Sequence, residues 1–508
     1  MATKPKAIEV KVYNVGLGDS ILVSFHTSAA KNNVFRMLFD FGSIGRNPDS
    51  PPMMKIAEQI VEDCRREDGK SQLDVLIATH RHLDHLSGFG GKTGQFLEDN
   101  MLPPKRIIQP WTEEPEADLP GGSSDPNSGS AFMRQSMVEA QEITESIMQE
   151  VVRRRSIGFD RSTDDEVWFY GSKNLLAVSG EIDLAEAATR DLADEVASFH
   201  GFSSDAVNTE QITNRDALER ISRWKAAGSK VEYVSSGFKS KATGLIPGLQ
   251  MQILGPAGPD HWDALKKEGR QDELWARLAG FADENADDNG KMIAFDQKYG
   301  PYGVPPIFPQ AAMERRSHGN KDNVRWLVEK LDRLRGSQLL GFVRELDSHI
   351  NNTSVVLLLK FGNFTMLFPG DAEVGAWHWI NQKGTGPTSS FGLPLETILE
   401  DVDLYKVGHH GSNNATPILS MWNFLAKDRT AKRPLHCVMS TQWSRFENKI
   451  PNQTLWQTLN GDKQFQTMAT SGPPSLTSDL PIALNKKWRP QKDGKNTIAY
   501  SRMFEVAK

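Results

Sequence analysis

The stretch that decides the fold is Thr79-His80-Arg81-His82-Leu83-Asp84-His85. It follows directly on Leu73-Asp-Val-Leu-Ile-Ala78, which has the length and composition of a buried strand. Histidine and aspartate side chains are therefore concentrated at the point where a strand ends. Imidazole and carboxylate ligands together suit zinc, and also manganese or iron. We therefore predict a metal site on the turn after this strand.

The spacing of these residues favours extended or tightly turned backbone. His80 and His82 are two residues apart, so both rings can face one ion, and Asp84 and His85 follow within reach of a neighbouring ion. A helix fits less well because ligands on one helix face are three or four residues apart. The competing interpretation is a histidine-rich surface loop, which the order of the ligands and their place after a strand disfavour.

Strand patterns lie at both ends of the chain, around a polar middle. The predicted strands are 8–13, 20–25, 37–42, 73–78, 251–256, 353–360, 364–368, 403–407, 436–440 and 497–501. The predicted helices are 53–66, 131–155 and 323–335. We therefore predict an α/β fold whose two halves, 1–109 and 345–508, are separated by a large, mostly helical insertion at 110–344.

Composition limits the class of protein. The chain has 508 residues, 38% of them hydrophobic, and a formal net charge of −6. A protein that holds nucleic acid by bulk charge is usually basic, so a polyanion here would need a local patch or metal ions. The two cysteines, Cys64 and Cys437, are far apart, which excludes a disulfide framework and fits a reducing compartment. No signal peptide or membrane-spanning run is evident, so we expect a cytoplasmic protein without membrane contact.

The motif at 79–85 resembles that of the metallo-β-lactamase superfamily, whose members are αββα sandwiches with metal ions at one edge. Asp40, in Phe39-Asp-Phe-Gly42, resembles the early Asp-x-Gly motif. The resemblance implies that Asp40 and Asp19 orient the metal ligands without binding metal themselves. Asp371 follows Gly370 and resembles the carboxylate that bridges two metal ions. An ordinary loop aspartate is the alternative, which the preceding strand and glycine disfavour.

The resemblance also implies two further histidines. His349 precedes the strand at 353–360, as the third histidine motif of the superfamily does, whereas its competitors His200 and His318 precede no convincing strand. The last motif falls on His409-His410-Gly411. Alignment on His-Gly favours His410 as the ligand and His409 near the substrate, and the reverse assignment stays open.

The resemblance therefore implies a site for two divalent metal ions, with zinc expected and manganese as the alternative. Its metal ligands would be His80, His82 and His349 for one ion, Asp84, His85 and His410 for the other, and Asp371 for both. A metal-bridging hydroxide would attack the substrate. Asp84 and His409 would be the catalytic residues, and Asp84 would orient the nucleophile.

Three segments resemble the soluble hydrolase domain of ComEC-type DNA-uptake proteins. They are Val15-Gly-Leu-Gly-Asp-Ser20, Asn351-Asn-Thr-Ser-Val-Val356 and Lys406-Val-Gly-His-His-Gly-Ser412. An aspartate at 371 points to the phosphoesterase and thioesterase branches rather than to β-lactamases. The chain departs from the pattern in having no membrane channel, and in carrying Asn448-Lys-Ile-Pro451 where a His-Pro pair is common. The resemblance covers roughly 1–92 and 345–450.

The leading hypothesis is a metal-dependent hydrolase, a phosphodiesterase or nuclease acting on DNA or RNA. Its substrate contacts would include Asn352, Ser412, Arg315 and Arg316. The first alternative is a hydrolase of a cyclic nucleotide, phosphocholine ester, lactone or thioester, which the net negative charge favours. The second is a metal-stabilised interaction module, although a structural zinc site would be closed and mononuclear. The insertion could also bind a protein partner or form an oligomer.

Overall fold

The computed structural model describes residues 4–28, 33–45, 50–114, 214–258, 261, 350–381, 394–442, 450–461, 463–471, 487–494 and 496–506. All of these residues belong to one compact unit. Within these ranges, no helix has both the length and the apolar character needed to cross a membrane.

The first sheet has eight strands and is mixed. Their order across the sheet is β13 (Arg489–Asp493), β14 (Asn496–Glu505), β1 (Pro5–Tyr13), β2 (Ile21–Thr27), β3 (Val34–Phe39), β4 (Val75–Ile77), β5 (Arg106–Pro110) and β6 (Lys230–Val234). The pairs from β13 to β3 are antiparallel, and the pairs from β3 to β6 are parallel.

The second sheet has six strands and is also mixed. Their order is β12 (Phe465–Ala469), β11 (Leu435–Met439), β10 (Leu404–Lys406), β9 (Phe364–Phe368), β8 (Val356–Phe361) and β7 (Leu249–Gly255). The pairs from β12 to β9 are parallel, and the pairs from β9 to β7 are antiparallel.

The two sheets pack face to face through one apolar core to which strands of both contribute. Period-two alternation explains the contribution of β1, where Ile8, Val10 and Val12 are buried and the residues between them are partly exposed. Across the core, the ring of Phe39 on β3 stacks on Phe368 on β9, with centroids 4.0 Å apart. Complete burial of each such large side chain stabilises the fold by about 1.5–3 kcal/mol.

Helices cover the outer faces of both sheets. Those in the described residues are α1 (Met53–Asp63), α2 (Leu83–Leu86), α3 (Gly91–Asn100), α4 (Asn214–Ala226), α5 (Val374–Ile380), α6 (Leu395–Glu400), α7 (Asn423–Ala426) and α8 (Gln453–Gly461). On the first sheet, Ile56 and Ile60 of α1 lie one helical turn apart and share a core with Leu38 and Leu76. On the second sheet, Thr467 of β12 donates a hydrogen bond to a carbonyl of α8, while Met468 faces the other sheet.

The predicted α/β class is confirmed, and so are the strands at both ends of the chain and the helix at 53–66. In the middle of the chain, the described residues include two strands of these sheets. Residues 230–234 form the edge strand β6 of one sheet, and 249–255 form the edge strand β7 of the other, although both lie in the predicted insertion. The pattern of β6 is hard to recognise because an edge strand keeps charged side chains such as Lys230. The helices predicted at 131–155 and 323–335 lie outside the described residues.

Candidate metal centre

The candidate ligands lie at one edge of the two sheets. β3 and β4 are parallel neighbours, and so are β9 and β10, so within each sheet the carboxyl ends of the two strands lie together. The residues that follow these strand ends are Asp40, His80, His82, Asp371 and His410. A backbone hydrogen bond of 2.9 Å from Val355 to Thr79 joins the two sheets at this edge. The carboxyl ends of parallel strands are a common place for ligand sites in open α/β sheets.

His80 and His82 face each other on the segment that leaves β4. His80 Nε2 lies 3.1 Å from His82 Nδ1. Two nitrogens that bind one tetrahedral zinc ion at its usual bond length are roughly 3.3 Å apart, so this separation fits two ligands of one ion. Burial lowers the pKa of His82 to about 4 and that of His80 well below its usual value. Both rings are therefore neutral at neutral pH, the state that binds metal.

Asp84 and His85 lie on α2, which begins directly after His82. The predicted extended or tightly turned backbone is confirmed for His82, whose ψ is 152°, and is wrong for Asp84 and His85. The helical turn is anchored by two buried leucines, because Leu83 packs with Leu17 and Ile44 and Leu86 packs in the core beneath α1. The turn directs the Asp84 carboxylate to His410, where Oδ2 lies 2.9 Å from Nε2.

Asp371 is fully buried and lies between the histidines of both sheets. Its Oδ2 is 3.1 Å from His85 Nε2 and 3.9 Å from His410 Nε2. One possible ligand group consists of Asp84, His85, Asp371 and His410, a second consists of His80, His82 and Asp84, and a third consists of Asp19, Asp40 and His85. Within each group the ligand atoms lie within 4.8 Å of one another. Asp84 belongs to the first two groups, so the arrangement can hold two neighbouring cations.

The electrostatics of the cluster also fit cations. Four carboxylates are buried here, those of Asp19, Asp40, Asp84 and Asp371, and Lys406 is the one lysine among the described residues that contacts them. Burial opposes ionisation of Asp84, but His85 and His410 nevertheless hold its pKa well below the usual value. Burial likewise opposes a charge on His85, but Asp371 and Asp84 raise its pKa well above the usual value. Without metal, the proton on His85 and the ammonium group of Lys406 balance part of a negative charge that divalent ions could balance instead.

Asp40 orients His85 from behind. Its Oδ2 lies 2.8 Å from His85 Nδ1, and its two oxygens accept hydrogen bonds from the backbone and hydroxyl of Thr79 at 2.8 and 2.7 Å. Because Nδ1 donates to this carboxylate, His85 presents Nε2 to Asp371. His410 is oriented in the same way, since its Nδ1 donates to the carbonyl of Ser440 at 2.9 Å. Such contacts fix the tautomer and the ring orientation of metal-binding histidines.

Glycines allow the two predicted supporting segments to pack directly on α2. A Cβ on Gly42 would lie 2.4 Å from the carbonyl oxygen of Leu83, and a Cβ on Gly18 would lie 2.2 Å from that of Gly42. The backbone of Asp19 then donates to the carbonyl of Asp84 at 2.9 Å, and its carboxylate binds Lys406. Asp19 therefore lies behind the ligand group and in contact with the backbone that carries it.

His409 and His410 have different positions, although both adopt positive φ. His410 is buried within the ligand group. The His409 side chain is 17% exposed, with Nε2 4.0 Å from Asp371 Oδ2 and Nδ1 3.6 Å from Glu373 Oε1. The structure thus brings His410 rather than His409 into the cluster and leaves His409 at its rim.

Several other candidate residues have defined positions. Asn352 is buried, and its amide oxygen accepts hydrogen bonds from the backbone of Glu373 and Ala376, which caps the first turn of α5. The hydroxyl of Ser412 donates to Asn414 at 2.9 Å. Asn352 therefore holds the start of α5 in place, and its buried side chain is not exposed to a substrate. The remaining candidates, His349, Arg315 and Arg316, lie outside the described residues, as do the competitors His200 and His318.

Two hydroxyl residues of the site were not predicted. Thr79 Oγ1 lies 2.7 Å from Asp40 Oδ2 and 3.1 Å from His80 Nδ1, and so connects the two. Ser354 Oγ accepts the backbone hydrogen bond of Asp371 at 3.0 Å and lies 3.3 Å from His80 Nδ1. A buried hydroxyl residue beside a candidate ligand, or just before an apolar strand, is the signal that could have identified them.

Comparisons of the sequence with models of known protein families and with curated proteins find no match.

Proposed function

We propose that the chain is a two-metal hydrolase that cleaves phosphodiesters, with DNA or RNA as its substrate. The observation that carries the proposal is the position of Asp84, which belongs to the group around His85 and His410 and also to the group with His80 and His82. One structural ion would be satisfied by the four-ligand group alone and would leave His80 and His82 without a metal to bind. Two groups that share a carboxylate instead fit two ions side by side, as in many phosphatases and nucleases.

The proposed ligands are the clustered histidines and aspartates of the candidate metal centre, together with His349. His80 and His82 would hold one ion with His349, and Asp84, His85 and His410 would hold the other, with Asp371 shared by both. Asp84 also lies within reach of the first ion, because it belongs to the group with His80 and His82. The helix–sheet–sheet–helix layers and the ligand order support placing the chain in the metallo-β-lactamase superfamily, near the ComEC-type domains. Zinc is the proposed metal because imidazole and carboxylate ligands suit it, with manganese as the alternative.

Two such ions, when bound, would stabilise charge on a phosphoryl group and supply a water that ionises near neutral pH. Asp84 Oδ2 would accept a hydrogen bond from that water and orient it. His409, whose side chain is partly exposed at the rim of the cluster, would donate a hydrogen bond to the substrate. Burial of His80, His82 and His85 would limit the access of bulk water to the ligands.

The ligands themselves favour a phosphoesterase or thioesterase over a β-lactamase. Asp371 supplies a hard oxygen ligand where a thiolate would favour softer metals. The net charge of −6 favours the small-molecule alternative, so a nucleic-acid substrate would have to be attracted locally, by metal ions at the site.

The experiment that tests the proposal removes metal with a chelator and restores zinc or manganese. The restored protein is then incubated with bis-p-nitrophenyl phosphate, plasmid DNA, single-stranded DNA and RNA. We expect metal-dependent cleavage of the model diester and of at least one nucleic acid, and its loss in Asp371→Ala. Cleavage of lactones or thioesters alone would favour the small-molecule alternative. Metal binding without hydrolysis of any of these substrates would favour the interaction module.

A further inference from the structure

Lys406 is a buried lysine at the end of β10, inside the candidate metal centre. Its Nζ lies 3.3 Å from Asp371 Oδ1 and 3.4 Å from the carbonyl oxygen of Gly370. Burial of an ammonium group beside a cation site is unfavourable unless carboxylates pair with it, because like charges repel and the group loses its hydration. The function proposed above does not use this residue.

Asp19 anchors the ammonium from the other side. Its Oδ2 contacts Lys406 Nζ directly, and both side chains are almost completely buried. The backbone of Asp19 is itself fixed, because it donates to the carbonyl of Asp84 at 2.9 Å. The position of Nζ is therefore set by the segment Val15–Ser20, whose glycine turn packs against α2.

The two oxygens of Asp371 have different surroundings. Oδ1 is occupied by Lys406 Nζ at 3.3 Å and by the backbone N–H of His409 at 3.1 Å. Oδ2 faces the ring nitrogens of His85 and His410 at 3.1 and 3.9 Å. Only Oδ2 is directed into the ligand group.

We propose that Lys406, anchored by Asp19, is a positioning residue that occupies Oδ1 of Asp371, so that Oδ2 alone binds both metal ions. A carboxylate free at both oxygens can bridge two ions through separate atoms, which moves them apart. A carboxylate held at one oxygen bridges through a single atom and keeps the ions close together. This inference rests on the two-metal site of the proposed function and adds how the spacing of the ions is set.

The direction in which metal affinity changes on replacement of Lys406 distinguishes a positioning role from its other possible roles. If Lys406 acted only through its charge, its removal would tighten metal binding, because a repelling cation would be gone. If it served only to stabilise the fold, its removal would lower stability and leave metal binding unchanged. A positioning role predicts weaker binding of the second ion, by about 10- to 100-fold as for other residues that orient metal ligands.

The test uses the full chain loaded with Mn²⁺ and compares the wild type with Lys406→Met. Metal affinity is measured by competition with a chelator, and the coupling between the two ions is measured by electron paramagnetic resonance. We expect a coupled pair of ions in the wild type. In Lys406→Met we expect at least tenfold weaker binding of the second ion and loss of the coupling. Lys427→Met, which removes an exposed lysine paired with Glu400, should change neither quantity.

Asp19→Asn provides an independent variant and carries the test if Lys406→Met does not fold. It releases Lys406 from its anchor and should also weaken the coupling and the second site. Two uncoupled ions in the wild type, or tighter or unchanged binding in the folded variants, would overturn the inference. These results are distinct from failure of the proposed function, which would appear as wild-type protein that binds no metal pair or hydrolyses none of the substrates.

Discussion

His85 Nδ1 and Asp40 Oδ2 are 2.8 Å apart, and this contact determines which nitrogen of His85 faces Asp371. The same carboxylate binds the backbone and hydroxyl of Thr79 just before His80, so one aspartate connects both halves of the ligand motif. Asp40 also adopts a positive φ of 53°, a conformation that most residues avoid and that aspartate tolerates better than most. Its position thus links the end of β3 to the orientation of the His85 ring on α2.

Asp40→Asn should weaken metal binding without removing a ligand. The amide can no longer accept the hydrogen bond from His85 Nδ1 as strongly, so the ring loses its fixed orientation and its basicity. We expect metal affinity to fall by about 10- to 100-fold, measured by competition with a chelator. Asp99→Asn, on the exposed side of α3, is the matched control. Equal affinity in the wild type and Asp40→Asn would refute this role.

His82→Ala should reduce the metal content from two ions per chain to one. His82 belongs to the group with His80 and not to the group around His410, so the second group should remain intact. Elemental analysis of the purified protein measures the ratio. His26→Ala is the control, because His26 lies at the far end of β2 from Asp19. Retention of two ions in His82→Ala would show that this ring is not a ligand.

Gly42→Ala should disturb α2, which carries Asp84 and His85, because the added Cβ would collide with backbone atoms of that helix. The added Cβ would lie 2.4 Å from the carbonyl oxygen of Leu83 and 2.5 Å from backbone carbons of Asp84 and His85. We expect the free energy of unfolding to fall by about 1–3 kcal/mol, as for other overpacked sites, together with weaker metal binding. Urea denaturation measures the first quantity. Gly244→Ala, where a Cβ has nothing within 4 Å, should be close to the wild type, and an equally small effect at Gly42 would contradict the packing argument.

His436 should make the metal-free protein less stable in mild acid. Burial and the neighbouring cations lower its pKa to about 3 from 6.5. Between these values the unfolded chain binds a proton that the folded protein does not, so stability falls as the pH drops below 6.5. From pH 7 to pH 5 this residue alone should cost about 2 kcal/mol.

The measurement for His436 is urea unfolding of the metal-free wild type and of His436→Gln at both pH values. Glutamine keeps an acceptor for Arg502, which lies 3.1 Å from His436 Nδ1, but it cannot be protonated. The loss of stability between pH 7 and pH 5 should therefore be smaller in the variant by about 2 kcal/mol. The same loss in both proteins would mean that the buried ring does not contribute.

The sequence was most informative where histidine and aspartate residues directly follow an apolar strand pattern. The run from Leu73 to Ala78 is apolar because β4 is buried on both faces, and the ligands begin where it stops. The same holds for Asp371 after β9. Local order along the chain was therefore enough to single out Asp84 and His85, and the resemblance to the superfamily added Asp371, which the structure places in the same cluster.

The sequence was less informative about the parts that depend on distant contacts. Lys406 was noted only within a motif, since nothing in its neighbours reveals that Asp19, far away in the chain, lies beside it. Asn352 was expected at the substrate, but its oxygen caps α5, an interaction that arises only when the two segments pack together. The strand β6 was missed because its charged residues are typical of an edge strand.

The most direct test of the two-metal hydrolase is a titration of metal-free protein with Mn²⁺, in which hydrolysis of bis-p-nitrophenyl phosphate is followed at each step. Because the proposed reaction needs both ions, we predict little activity at one equivalent per chain and a rise that ends at two. Full activity at one equivalent, or no hydrolysis at any ratio, would contradict it.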